Sequence, residues 1–451
     1  MIVMRDFDLA ICGGTVFDML GKGTPVISTL AIANGEIAAI LPNGVPVSAA
    51  KIFDAEGMFV VPGFIDSHVH DEYFEDSDTV QRALIGQGVT TAVAGHCGDG
   101  PLFEKSRAAR SRPWMNISYM VGGTCLRREV GHTDRYTPAT RAETSHMCEL
   151  LAQSLKEGAM GLSLGLQYEP GSSYREIAAL AEVVSQFENR PISVHTRHAD
   201  ARSVDSVREA ISLARDYGVR VQVSHLASQT MWYTRACIEA IEEAASGGAN
   251  VGFDCYPYEV FCTYAGSTVF DEGFVERWRG KGPEYLEAIS GEFTGQRLTY
   301  EKLAAMRERE PMALIAGYVL NPDEVEICLT HPACIVISDG LYTGGGAHPR
   351  IAGSFPRALR FLVEKGFTWE SALKKVTTMP SDLFSLGRGR LKIGVSADIV
   401  VLSPGELKDE ATFYEPFKPA SGIELVVING GIAMEKGVFN REPQGRFFHV
   451  T

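Results

Sequence analysis

The strongest constraint on the fold is a spacing. Short apolar runs end at His195, His225 and Asp254, 30 and then 29 residues apart, which is the length of one strand–helix unit. In Val219-Arg-Val-Gln-Val-Ser-His225, residues Val219, Val221, Val223 and His225 alternate onto one face, as a strand requires. The segment from Glu176 to Glu188 instead carries Ile177, Leu180, Val183, Val184 and Phe187, which is helical spacing. Ser173 and Glu176 stand before it in the order of a capping box. Read this way, eight strands end near His70, Cys97, Gly122, Gly165, His195, His225, Asp254 and Asp339. Eight such units in series predict an α/β fold built on a (β/α)₈ barrel. The last interval, 254 to 339, is too long for one unit. Residues from about 258 to 330 are expected to form a lid or insert over the strand ends, since a loop of that length is functional or has structure of its own.

Outside this region the pattern changes. Residues 7–61 read as short strands with Gly turns, among them Val26-Ile-Ser-Thr-Leu, Ile37-Ala-Ala-Ile and Met58-Phe-Val-Val. The tail does the same in Ala397-Asp-Ile-Val-Val-Leu and Leu425-Val-Val-Ile-Asn-Gly-Gly. Both ends therefore predict one small β-sandwich made from the two termini. The expected organisation is residues 1–60 and 391–451 for that sandwich and 61–390 for the barrel.

Composition excludes several function classes. With 45% hydrophobic and 22% charged residues, the chain has the apolar content to fold. No apolar run approaches the roughly 18 residues of a membrane-spanning helix. A net charge of −14 disfavours nucleic acid and anionic membranes, because phosphate binding needs clustered cations. A small-molecule substrate is expected, and homo-oligomerisation is left open. The nine cysteines form no CxxC pair, and the opening MIVMRDFDLAICGG has acidic residues in its apolar stretch and no cleavage site. These features lead to the expectation of reduced thiols and a cytoplasmic location.

Active sites of such barrels lie at strand C-terminal ends, and here those ends carry His68, His70, Cys97, His195, His225, Asp254 and Asp339. Two histidines at i and i+2 on a strand, His68 and His70, point the same way and can meet one divalent ion. His195 and His225 end neighbouring strands about 4.8 Å apart, so their imidazoles can converge. Each alone is more often a structural histidine; together they favour a metal, and zinc suits imidazole and thiolate. Cys97, in Gly95-His96-Cys97-Gly98, is either a small buried hydrophobe or a ligand. Asp339 is either a turn residue before Gly340 or the group that moves protons beside a metal. Asp254 could orient a ligand histidine.

Taken together these residues resemble the amidohydrolase superfamily, and within it the N-acyl-D-amino-acid deacylases, or D-aminoacylases. The resemblance runs through VPGFIDSHVHDE (61–72), GVTTAVAGHCG (88–98), LRREVG (126–131), GAMGLSLGLQYEPG (158–171), HTRH (195–198), VQVSHLAS (221–228), DCYPY (254–258), SDGL with HPRIAGSFPR (338–357) and GRLKIGVSADIVVL (389–402). It implies one tightly held zinc on Cys97, His195 and His225, and a weaker second position near His68 and His70. It implies Asp339 as general base and then general acid, with Tyr168, Tyr256 and Arg350 touching substrate. Arg350 could instead anchor a loop. Many superfamily members bridge two metals with a carboxylated lysine on the fourth strand. Gly161-Leu-Ser-Leu-Gly-Leu166 has none, which fits the branch in which Cys97 takes that place.

Two departures stand out. The branch commonly has Ser-His-His-Lys where this chain has Ser224-His225-Leu226-Ala227, and a histidine in place of the second glycine of Val121-Gly-Gly-Thr-Cys125. The lost lysine removes a cation for the substrate carboxylate, for which Arg197 or His198 are candidate substitutes. Tyr264, Arg297 and Arg307 are further candidates in the insert. The expected reaction is hydrolysis of the amide of an N-acyl-D-amino acid by a zinc-activated water. The rivals are a cyclic amide or imide hydrolase, a dipeptidase, or a non-catalytic scaffold of the same fold.

Overall fold

The computed structural model describes residues 7–21, 24–73 and 77–449. It is a mixed α/β structure. Six parallel strands follow one another in chain order: Val121–Gly122, Leu162–Gly165, Ile192–His195, Val221–Val223, Val251–Cys255 and Cys334–Val336. Three more, Phe64–Val69, Val89–Ala94 and Asn116–Tyr119, form a second parallel sheet. The two sheets meet at both edges. Met120 alone separates Tyr119 from Val121, and its N–H donates to the Ala94 carbonyl at 2.9 Å. At the other edge the Asp339 N–H donates to the His68 carbonyl at 2.9 Å and the His70 N–H to that of Gly340 at 2.8 Å. Asp66, fully buried, accepts from the Ser338 N–H and hydroxyl and from the His68 N–H. The first and last strands of the series are thus tied by one carboxylate.

Helices cover these strands because their apolar faces match the strands' outward residues. Tyr174–Val184 buries Ile177, Leu180, Ala181 and Val184. Ser173 caps it by accepting the Glu176 N–H. The expected capping box is only half made, because the Glu176 carboxylate is taken by Arg127 at 3.2 Å and by the Ala139 N–H. A complete box forms instead at Thr140 and Glu143, starting helix Arg141–Glu157.

The expected insert contains a three-stranded antiparallel sheet, Phe261–Tyr264, Leu314–Gly317 and Leu286–Ala288, with helix Tyr300–Arg309. Helix Pro322–Thr330 behaves differently: its Val325, Cys328 and Leu329 join the main core, so the separate part ends before it.

The termini form one nine-stranded sheet. Phe59–Pro62 pairs antiparallel with Ile399–Leu402, which joins the N-terminal strands to the tail. Leu9, Ile11, Leu30, Ile32 and Val60 share a core with Ile399, Val401, Leu425 and Val427. The sheet is not purely antiparallel: Phe7–Val16 runs parallel to Ala49–Asp54 and to Phe59–Pro62. No helix among the described residues is long and apolar enough to cross a membrane. All nine cysteines are free thiols.

Candidate metal centre

The strand ends bring the predicted ligands together. One donor atom each from Cys97, His195 and His225 lies within 4.8 Å of the others, and the same is true of His68, His70 and Cys97, and of His68, His225 and Asp339. All six side chains are buried. Cys97 does not sit on its strand, which stops at Ala94. It stands in the following turn with φ of +53°, while His225 and Asp339 have φ of +32° and +49°. Non-glycine residues rarely adopt this left-handed region. Three of them at one place mark a backbone bent to aim its side chains inward. A Cβ on Gly165 would collide with the Cys97 carbonyl, so the cysteine's turn occupies the space above the fourth strand, where no lysine is found.

The donor set fits zinc. Cys97 Sγ lies 3.5 Å from His225 Nε2 and 3.5 Å from His68 Nε2. A sulfur at about 2.3 Å and a nitrogen at about 2.1 Å from a tetrahedral zinc stand about 3.6 Å apart. His195 Nε2–H donates to Gln167 Oε1 at 2.8 Å. Its Nδ1 is then left buried with no hydrogen-bond partner, as an atom reserved for a metal would be. Burial pushes the Cys97 thiol up, but His68 and His195 outweigh that and hold it well below the ordinary thiol range. Burial lowers His195 and keeps it a neutral imidazole. His225 is steadied by Ser228 Oγ, 3.1 Å from Nδ1, and by Asp254, which accepts its backbone N–H at 2.6 Å.

The second group of ligands is held by carboxylates. His70 Nδ1 meets Glu72 at 2.6 Å, and the other Glu72 oxygen accepts the Gly95 N–H at 3.1 Å. His70 Nε2 lies 3.3 Å from Asp339, as does His68 Nε2 at 3.5 Å, with His68 Nδ1 3.7 Å from Asp254. Burial opposes charge on His68, but the Cys97 thiolate and Asp254 bring it up to about 10. His70 is raised well above its ordinary value by Glu72 and Asp339 against the same burial.

Asp339 also pairs with Arg350, Oδ2 to Nη1 at 3.0 Å. Burial would protonate this carboxyl; Arg350 and the surrounding histidines overcome it and hold it far below the usual carboxylate range. The Arg350 guanidinium lies 4.7 Å over the Tyr256 ring and donates to the Cys262 carbonyl. Its Nε and the buried Tyr256 hydroxyl have no hydrogen-bond partner. The Tyr168 ring lies 4.5 Å from that of His195, tilted by 48°, and its hydroxyl reaches Thr263 at 3.3 Å. These groups line one cavity together with Met231, Phe261, Val269 and Trp278.

Other candidates lie elsewhere. Arg197 is clamped by Glu209 at 2.9 and 3.0 Å. Arg297 covers the Tyr318 ring and faces Glu287, and Arg307 pairs with Asp271 at 2.7 Å. Sequence reasoning missed Gln167 and Glu72. Glu72 adjoins the His-Val-His motif, which was a readable hint; Gln167 had none.

Residues 51–207 match the model described as the amidohydrolase family. The chain is 31% identical, over 99% of its length and 98% of the relative's, to a D-aminoacylase of Alcaligenes xylosoxydans xylosoxydans. A crystal structure of N-acyl-D-glutamate deacylase from Bordetella bronchiseptica superposes with a TM-score of 0.87 at 29% identity, covering 99% of this chain and 100% of that one. That protein was crystallised with zinc and a phosphonate inhibitor that mimics the reaction's tetrahedral intermediate. A D-aminoacylase structure matches at TM-score 0.87 and 27% identity, over 98% and 100% of the two chains; its binuclear centre is described as activated by one metal and attenuated by the second.

Proposed function

Because the chain belongs to the amidohydrolase family, in its D-aminoacylase branch, we propose that it is a zinc-dependent hydrolase that cleaves the amide of N-acyl-D-amino acids to a carboxylate and a D-amino acid. The observation that carries this reading is the pairing of two features at one place: a thiolate and two imidazoles at zinc-ligand spacing, and a buried ionised aspartate beside them. We read the eight-strand series as a closed (β/α)₈ barrel covering residues 61–390, with the terminal sheet as a sandwich of 1–60 and 391–451. In that reading Cys97, His195 and His225 hold the tight zinc, and His68 and His70 serve the second position.

Zinc, when bound, makes a water acidic enough to supply hydroxide near neutral pH and polarises the amide carbonyl. The chain's own residues do the rest. Asp339 takes the proton of the attacking water and returns it to the leaving nitrogen. Arg350 and the Tyr256 hydroxyl, with unused donors buried against the cavity, receive the substrate carboxylate, a geometry for which guanidinium is suited. Such a carboxylate competes with Asp339 for Arg350, so substrate binding restores basicity to the aspartate when it is needed. Tyr168 packs beside the reacting amide, and the cavity wall keeps bulk water away.

The test is Asp339→Asn. Turnover of N-acetyl-D-methionine should fall by about 10²–10⁴-fold, the usual share of general acid–base catalysis, with zinc content unchanged. Near-normal turnover with zinc bound would overturn the assignment.

A further inference from the structure

The sulfur of the metal centre stands on a turn rather than on a strand, and that turn is gripped from the strand beside it. Gly95, Cys97 and Gly98 have φ of +82°, +53° and +90°, and the Asp99 N–H closes the turn on the His96 carbonyl at 3.0 Å. A cysteine keeps such a conformation only where its surroundings over-determine it. Ser163, fully buried on strand Leu162–Gly165, bonds both ends of the turn. Its hydroxyl donates to the Gly95 carbonyl at 2.6 Å and accepts the Gly98 N–H at 3.2 Å. Two residues further along the same face of that strand, Gly165 leaves the room the turn needs: a Cβ there would lie 1.9 Å from the Cys97 carbonyl oxygen. One strand thus serves the turn twice, with a missing side chain for space and a hydroxyl for hold.

The neighbouring strand continues the same layer. Ser193 pairs in register with Ser163 and is buried. Its Oγ lies 3.0 Å from His96 Nδ1 and 2.9 Å from the Oγ of Ser224, the residue before His225. His96 precedes Cys97, and its ring stacks on that of His68 with centroids 4.0 Å apart and planes 18° apart. The turn is tied elsewhere too: Glu72 accepts the Gly95 N–H at 3.1 Å, and the Gly98 carbonyl accepts the Cys125 N–H at 3.1 Å. Each of these grips one end, whereas Ser163 spans the turn. Removing its hydroxyl would take a partner from a buried carbonyl and from a buried N–H at once, a loss the backbone relieves by moving.

We propose that Ser163 is the positioning residue for the sulfur of the metal centre: its hydroxyl presets the Cys97 turn so that Sγ meets His195 and His225 around one ion, with the Ser193–His96 link as a weaker second hold. This rests on Cys97 being a metal ligand, and the test separates the two. Cobalt(II) is loaded into the metal-free full chain, and the thiolate-to-cobalt charge-transfer absorption is recorded beside zinc affinity measured by competition with a chelator. Ser381→Ala is the control. The Ser381 hydroxyl makes the same pair of bonds, donating to the Arg388 carbonyl at 2.8 Å and accepting the Arg388 N–H at 3.3 Å, in a loop that carries no ligand. Ser163→Ala should weaken the absorption and lower zinc affinity by about 10–100-fold, while Ser381→Ala leaves both at the wild-type level even if the two variants melt equally early. Wild-type absorption and affinity in Ser163→Ala overturn the proposal, and so does an equal fall in the two variants. If Ser163→Ala does not fold, Ser193→Ala decides: a smaller fall in both readouts supports the proposal, and wild-type values overturn it. A wild-type chain with no thiolate-to-cobalt band, or with a band untouched by Cys97→Ser, defeats the ligand reading itself.

Discussion

The two halves of the metal centre share a neighbourhood but are built on opposite electrostatic plans. The imidazoles of the Cys97, His195 and His225 half are backed by neutral groups, the Gln167 amide and the Ser228 hydroxyl, while Asp254 takes only the backbone N–H of His225. Its histidine His195 is kept neutral by burial and its thiol is held as thiolate. The His68 and His70 half is backed by Glu72, Asp254 and Asp339, which together with the Cys97 thiolate beside His68 favour imidazolium. The first half thus presents a thiolate and the His195 lone pair before any metal arrives, whereas His68 and His70 must shed protons to accept one. A strong and a weak position follow from the same carboxylates that make the site reactive.

The largest effect should come from removing the sulfur. Cys97→Ser replaces the one anionic ligand of the first half and should lower zinc affinity by more than the 10–100-fold that loss of an outer partner typically costs. Zinc content after dialysis would measure it. Retention of full zinc by that variant would mean that the metal sits with His68 and His70 instead, reversing the comparison.

A smaller effect is expected one shell out. Gln167→Leu removes the acceptor that turns His195 so that Nδ1 faces Cys97. Zinc affinity, read by competition with a chelator, should fall by about 10–100-fold, and Gln167→Glu should recover most of it by restoring an acceptor. Equal affinity in wild type and Gln167→Leu would mean that the imidazole is fixed by packing on Tyr168 alone. The Gln167 carbonyl accepts the Thr268 hydroxyl of the insert at 2.6 Å, so the insert's placement reaches His195 through this residue as well as through Tyr168 and Thr263.

Gln167 also marks how far the sequence could be read. The convergence of Cys97, His195, His225, His68 and His70 was legible because a strand's alternation and the strand–helix repeat fix where each run ends. The place of Asp339 beside them was legible for the same reason. Cys97 was found although its strand stops three residues earlier, since the turn that carries it is short. The partner of His195 was not legible: it comes from a different strand end, 28 residues away, and a lone glutamine after a strand has no pattern. The insert resisted for a related reason. Its antiparallel sheet pairs residues 261–264 with 314–317, a long-range contact that local periodicity does not encode. Even Glu176, correctly spaced for a capping box, was drawn away by the buried Arg127, a competition visible only in three dimensions.

The mildest and most diagnostic effect is that of pH on the second position. His70 titrates well above its ordinary value of 6.5 in the metal-free protein, with Glu72 the largest favourable cause. Near pH 7 it therefore carries a proton that a metal must displace. As pH rises toward that elevated pKa the proton competes less, so affinity of the second position should climb by about tenfold per unit for each proton released. His195 is shifted the other way, and near neutrality its imidazole has no such proton to expel. Zinc stoichiometry measured from pH 6.5 upward should rise from one toward two, the second equivalent appearing only on the alkaline side. Glu72→Gln removes the charge that holds the His70 proton and should move that rise to lower pH. If both equivalents bound with the same pH dependence, the carboxylates would not be what distinguishes the two halves.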